Sequence, residues 1–276
     1  MRRVLGALLV SLLATVGLAA PAGAGGIPLP TNPLGNPTGA NDWDCKPTPQ
    51  RPEPVIIVHG TFGDKKSLLD TLSATMVDDG YCVFSLDYGN RATRDIAASA
   101  RELKRYTAKV LAATGAQKVS MVGHSQGGMM PRYYIKFLGG GKVVDDLIGL
   151  SPSNHGTTII PNQSGPEADQ LAGLVCVACQ QQAAGSDFLA RLNADDETPG
   201  PVSYTQISTR YDEIVVPYSS AFLAEGPRTT NITIQDACPG DLAEHGFIAA
   251  SPTALAYVLN ALGRPGPADP TYRPAC

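Results

Sequence analysis

The spacing of hydrophobic and polar positions changes several times along the chain, and each change predicts an element. Val55-Ile56-Ile57-Val58 is an unbroken β-branched run, suited to a strand buried on both faces of a parallel sheet. Ser67 to Asp79 carries Leu68, Leu69, Leu72 and Met76 on one helical face and is stopped by Gly80. Tyr81 to Leu86 returns to extended patterning, and Asp95 to Thr114 repeats Ile96, Leu103, Val110 and Leu111 at helical spacing before Gly115. Val119 to Val122 predicts a third strand and Gln126 to Leu138 a helix, distorted where Pro131 removes a backbone donor. Leu147 to Leu150, Tyr204 to Ser208 and Ile232 to Ile234 predict further strands, and Pro252 to Leu262 a closing helix. Strands alternating with helices imply an α/β class, with a mainly parallel sheet flanked by helices and joined by right-handed crossovers. Residues 152–201, polar and Gly/Pro-rich with short apolar pieces, read as a small cap-like insertion over the strand ends.

The first residues stand apart from this pattern. Arg2 and Arg3, the apolar stretch from Val4 to Ala20 and the closing Ala22-Gly23-Ala24 predict a secretory leader over 1–24. Residues 25–54 read as an irregular lead-in and 55–276 as one catalytic-sized α/β domain. The leader's apolar stretch is short for an anchor, and no other stretch approaches the roughly 20 apolar residues a membrane span needs. Removing Arg2 and Arg3 takes the 21 basic residues to 19 against 25 acidic, a net charge of about −6 with no basic cluster for nucleic acid. A monomer is the expected state. Six cysteines in an exported chain favour three disulfides. Cys176-x-x-Cys179 lacks a second half-site with ligand spacing, so no metal is expected there.

The candidate chemistry centres on Gly123-His124-Ser125-Gln126-Gly127, a G-x-S-x-G pentapeptide between a predicted strand and a predicted helix. In a chain with 29 glycines such a pentapeptide can arise by chance, but its strand-turn-helix context marks a nucleophile elbow. Ser125 then needs a base, and only four histidines exist. His59 and His124 precede Ser125 and His155 follows the fourth strand too early, whereas His245 comes after the last strand, where a base belongs in the order Ser, Asp or Glu, His. Position after a strand favours Asp212 as the acid, with Asp236 and Asp241 as rivals. Gln126 supplies one amide to an oxyanion, and the turn His59-Gly60-Thr61 supplies the second through Thr61, with Phe62 as the neighbouring alternative.

These pieces, together with Ser153-Asn154-His155-Gly156-Thr157, Tyr211-Asp212-Glu213-Ile214-Val215 and Glu244-His245-Gly246, resemble the secreted class 2 lipases of actinobacteria and the lipase B type of a basidiomycete yeast. The likeness runs in order from about residue 45 to the C-terminus. It implies an α/β-hydrolase fold acting on carboxylic esters without metal or cofactor, with Ser125, Asp212 and His245 as triad and Thr61 and Gln126 as oxyanion pair. It also implies the bridges Cys45 to Cys82 and Cys238 to Cys276, leaving Cys176 to pair with Cys179. The chain departs from the yeast type in having Cys176 and Cys179 and in carrying His124 before the nucleophile.

The expected function is a secreted triacylglycerol lipase or esterase meeting a lipid or ester substrate, including one aggregated at an oil-water interface. A polyester or cutin hydrolase is the alternative, and a catalytically silent binding module the reading from another class. Phe62, Ile159, Ile160, Leu171, Leu174, Val175 and Ile248 are the candidate substrate-facing rim, unless they bury themselves in the cap.

Overall fold

The structure is a computed structural model that describes residues 35–160 and 175–276. The leader expected over 1–24, the first part of the lead-in, and Leu171 and Leu174 lie outside the described residues. Six strands form the sheet: β1 Val55–Val58, β2 Val83–Ser85, β3 Val119–His124, β4 Val144–Leu150, β5 Ser203–Ser208 and β6 Thr229–Thr233. They are all parallel, in the order β2-β1-β3-β4-β5-β6.

The continuous apolar run of β1 divides between two cores because successive side chains leave a strand on opposite faces. Ile56 and Val58 join one cluster with Phe84, Met121 and the apolar faces of helices α2 (Ile96–Thr114) and α3 (Gln126–Phe137). Val55 and Ile57 join the other, with Val122, Ile148 and the faces of α1 (Asp70–Asp78) and α7 (Pro252–Leu262). Asp95 caps α2 by accepting from the Ala98 amide, and Gly115 ends it in the left-handed region at φ 76°.

Three elements differ from their sequence patterns. Helix α1 starts at Asp70, later than expected, because Asp64 accepts from the Ser67 amide and hydroxyl and holds the preceding residues in a turn. Leu68 therefore leaves the buried helical face and is 51% exposed, with φ 61°. The α3 helix runs through Pro131 without interruption, since the missing N–H affects only a bond to the first turn. The sixth strand begins at Thr229 and ends before Ile234, which opens the short helix α6 (Ile234–Ala237). Its Thr and Asn residues fit a pleated strand but give no hydrophobic signal.

Within 152–201 the described parts include helices α4 (Val177–Gln181) and α5 (Asp187–Asn193). Arg132 of α3, fully buried, ties down α5 and the segments around it: its guanidinium donates to Asn154 Oδ1 at 3.3 Å, to Asn193 Oδ1 at 2.8 Å and twice to the Glu197 carbonyl. The cysteines pair as Cys45–Cys82, Cys176–Cys179 and Cys238–Cys276, with Cα separations of 5.8, 5.3 and 5.5 Å. The first and third span 37 and 38 residues, and each contributes about 4 kcal/mol in the chain-entropy description.

At the opposite end of the sheet from the strands' C-termini, Asp146 of β4 is buried with Oδ1 unpartnered and Oδ2 3.4 Å from the Ser120 hydroxyl. Burial, and then the neighbouring Asp145 charge, push its pKa up to about 8. Because the folded value lies above the unfolded one, the stability linked to this proton is complete below about pH 4 and is lost as pH rises through the folded value. The advantage of Asp146→Asn over the parent in melting temperature is therefore expected to grow between pH 4 and pH 9, by more than about 3 °C. Thermal unfolding across that range checks it; a constant difference would contradict the ionisation argument.

Candidate active site

β3 ends at His124 and α3 begins at Gln126, so Ser125 alone makes the reversal, with φ 57° and ψ −125°. That geometry needs glycine on both sides. A Cβ on Gly123 would lie 1.9 Å from the Gly127 carbonyl oxygen, and one on Gly127 would lie 2.2 Å from the Val58 carbonyl oxygen. Ser125 is held by its amide, which donates to the Leu150 carbonyl at 2.9 Å. Its side chain lines a cavity of about 570 Å³ at the C-terminal ends of the strands, where ligands enter open parallel sheets.

The loop after β5 brings Asp212 to His245, which lies beyond β6 and α6. Asp212 Oδ1 accepts from the Ile214 and Val215 amides at 3.0 and 2.7 Å, and the two carboxylate oxygens lie 2.9 and 3.0 Å from His245 Nδ1. Nδ1–H is therefore the donor, which leaves Nε2 as the lone-pair nitrogen of the neutral ring. Burial acts to raise the Asp212 pKa, but the hydrogen bond and charge of His245 and the Val215 amide outweigh it and hold the carboxyl below its ordinary value. No hydrogen bond joins Ser125 to His245 among the described residues, although both side chains line the same cavity.

The rivals are engaged elsewhere. Asp236 pairs with Arg210 at the surface, and Asp241 accepts from the Ser251 hydroxyl and the Ala243 amide. His155 Nε2 meets Glu197 at 2.8 Å, and His59 stacks on Tyr88 with ring centroids 4.4 Å apart.

Thr61 sits where the turn after β1 faces the elbow. Its Oγ1 accepts from Gln126 Nε2 and from Gln182 Nε2, each at 2.9 Å. The carbonyls of Ala92 and Ala178 fix which way those amides face, and the Ser153 hydroxyl donates to Gln182 Oε1 at 2.8 Å. A hydroxyl has two lone pairs and one proton, so with both lone pairs occupied the Thr61 proton is left to donate. The backbone N–H groups of Thr61 and Gln126 have no protein acceptor among the described residues, and the latter is the first amide of α3, at the positive end of its dipole. A left-handed turn supports the arrangement: Gly89, Asn90, Arg91 and Ala92 have φ of 55°, 50°, 58° and 57°. It aims the Arg91 carbonyl at the Phe62 amide, 2.8 Å away, and the Ala92 carbonyl at Gln126. Neither this turn nor Gln182 stood out in the sequence, because both act through contacts between distant segments.

Phe62, Ile159 and Ile160 line the cavity, joined by Leu68, Ile214 and Val215, which the sequence pattern had not singled out. Ile248 does not. It is fully buried in the core cluster containing Val122 and Ile148, because the turn after His245 directs Phe247 outward and Ile248 inward. Val175 is exposed but is not part of the lining. Among the described lining residues none is Asp, Glu, Lys or Arg. A serine hydroxyl, an imidazole oriented by a carboxylate and a threonine hydroxyl whose proton is left to donate thus face one cavity without charged side chains. Among the described residues no group of three His, Cys, Asp or Glu could hold a metal ion, and no helix is long and apolar enough to cross a membrane.

A triacylglycerol lipase of Pseudarthrobacter phenanthrenivorans is 37% identical over 93 residues, 29% of this chain and 27% of its own length. The chain thus spans about a quarter of that relative. Aspergillus fumigatus lipase B superposes with a TM-score of 0.71 at 23% identity, covering 86% of this chain and 57% of that one. The mature lipase BlEst2 of Bacillus licheniformis gives 0.59 at 19% identity, covering 78% and 94%. These structures share the fold. Residues 52–250 match the Lipase (class 2) family, a span that holds Thr61, Ser125, Gln126, Asp212 and His245, and the chain belongs to that family.

Proposed function

We propose that the protein is a serine ester hydrolase that cleaves neutral ester lipids, triacylglycerols among them, through an acyl-enzyme on Ser125. The observation that carries this reading is the convergence on one uncharged cavity of a serine at a one-residue elbow, an Asp212-oriented imidazole and a threonine hydroxyl left only with its proton. Ser125 Oγ attacks the ester carbonyl while His245 Nε2 takes its proton; Asp212 keeps the ring in the Nδ1–H tautomer and supports the imidazolium. The Thr61 and Gln126 amides and the Thr61 hydroxyl receive the oxyanion. His245 then protonates the departing alcohol, and water repeats the sequence on the acyl-enzyme.

The absence of charged side chains in the described lining favours neutral acyl and alcohol groups, and the exposed Phe62, Leu68, Ile159 and Ile214 at the same cavity suit contact with an aggregated substrate. The reading includes a single catalytic domain over 55–276, with Ser153, Thr157, Ile159, Ile160, Cys179 and Gln182 from the described parts of the 152–201 insertion lining the cavity. Export is part of it too: the pairing of all six cysteines favours an oxidising compartment, in keeping with the leader expected over 1–24.

Ser125→Ala and His245→Ala are each expected to lower kcat by about 10³-fold or more without unfolding, and Asp212→Asn to cripple turnover similarly by favouring the wrong tautomer. A fluorophosphonate probe should label Ser125 in the parent; absence of labelling and of ester turnover would leave a silent binding module. Thr61→Val is expected to cost about 10²-fold in kcat while Thr61→Ser keeps most activity. Equal activity of Val and Ser variants on a p-nitrophenyl ester would remove the hydroxyl from the mechanism. Replacing Ile159 and Ile160 with Ser should weaken hydrolysis of triglyceride emulsions far more than that of p-nitrophenyl butyrate. Equal loss on both would assign these residues to the fold, and turnover of polyester film in place of emulsions would redirect the substrate to polymers.

A further inference from the structure

His124, immediately before the nucleophile, takes no part in the proton path, yet its ring reaches the chain segment that carries the base. Its Nε2 lies 2.7 Å from the backbone carbonyl oxygen of His245, and the two imidazoles lie 4.8 Å apart between centroids. A carbonyl can only accept, so His124 Nε2 carries the proton. The ring is buried, and burial followed by the neighbouring His245 lowers its pKa to about 3, so at neutral pH it is the uncharged Nε2–H tautomer and places no second cation beside the base.

His245 is thereby held at three points. Asp212 takes the ring at Nδ1, Glu213 Oε2 accepts from its amide at 3.3 Å, and His124 donates to its carbonyl. The first two holds come from the loop after β5. Only the third comes from the elbow, whose next residue is Ser125, itself anchored on the Leu150 carbonyl. The separation of nucleophile and base then depends on one peptide unit and one rigid ring, and much less on the loops between β3 and His245.

We propose that His124 is a positioning residue whose Nε2–H holds the His245 carbonyl and so sets the placement of the base relative to Ser125. The inference rests on the proposed roles of Ser125 and His245, and it assigns the residue before the nucleophile a task that no part of the acyl-transfer chemistry requires of it.

The test compares the parent with His124→Phe, His124→Gln and His124→Asn. Phe keeps the ring's bulk without a donor; Gln carries an amide N–H at nearly the reach of Nε2, whereas the Asn amide stops at the reach of Nδ1. His124→Phe is expected to lose about 10²-fold in kcat on p-nitrophenyl butyrate, the scale of a misplacement near 1 Å. Its KM should stay within about twofold of the parent. His124→Gln should recover to within about fivefold of the parent, and His124→Asn should not. The downfield proton NMR signal of the His245 Nδ1–H should weaken in the Phe and Asn variants and return in the Gln variant. Parent-like kcat in folded His124→Phe, or no difference between Gln and Asn variants, would overturn the proposal. If the Phe variant does not fold, the Gln and Asn pair decides by the same criterion. If the parent neither turns over esters nor reacts with the fluorophosphonate, the proposed function falls, and the NMR comparison alone decides whether the tether exists.

Discussion

Reversing the chain from β3 to α3 within one residue is the constraint on which the rest of the site depends. The turn brings the backbone of Gly127 against the Val58 carbonyl and that of Gly123 against Gly127, closer than any side chain permits. Close packing of β1, β3 and α3 at this point places the turn after β1 beside the elbow, so that Thr61 meets the Gln126 side chain. It also leaves the first amide of α3, at the positive end of the helix, without a protein acceptor among the described residues, in keeping with the proposed oxyanion role. Ser125 is confined to a positive φ that costs on the order of 1–3 kcal/mol, an amount the surrounding sheet and helix must supply.

Around the elbow the protein buries several polar side chains and links them by hydrogen bonds, while Gln126 Oε1 and Gln206 Nε2 have no partner among the described residues. Thr61, Gln126, Gln182 and Ser153 form one chain of donors and acceptors, while Arg132, Asn154, Asn193 and Gln206 form another beneath the insertion. Each satisfied group avoids a desolvation cost of about 1–3 kcal/mol and specifies a single side-chain orientation. The left-handed turn at 89–92 adds local strain, and its Arg91 and Ala92 carbonyls brace the turn after β1 and the Gln126 side chain in return. Hydrogen bonds from three segments thus meet around Thr61 and Gln126. The Cys176–Cys179 bridge begins the helix that precedes Gln182, and Cys179 itself lines the cavity, so a covalent link stands close to that orientation.

Local pattern was enough to read the strand-helix alternation, the both-faces-buried β1, the long α2 with its stop and the elbow, because each is governed by neighbouring residues: side-chain period, a terminating Gly115, glycines flanking a serine. Chain order was enough to single out His245, and left Asp212 ahead of Asp236 and Asp241 without eliminating them. The packed structure gives the three carboxylates different partners: Asp236 goes to Arg210 and Asp241 to Ser251, while Asp212 meets the imidazole.

What only tertiary structure decided are the features made by distant segments. Leu68 and Ile248 both look like ordinary apolar positions, yet the Asp64 turn sends one to the cavity and the turn after His245 sends the other into the core. Gln182 becomes a partner of Thr61 across 121 residues, and His124 a partner of His245 across the same separation. Periodicity reports how a residue faces relative to its immediate neighbours; which group it meets there depends on loops whose conformations are set by long-range hydrogen bonds, and those leave no local trace in the sequence.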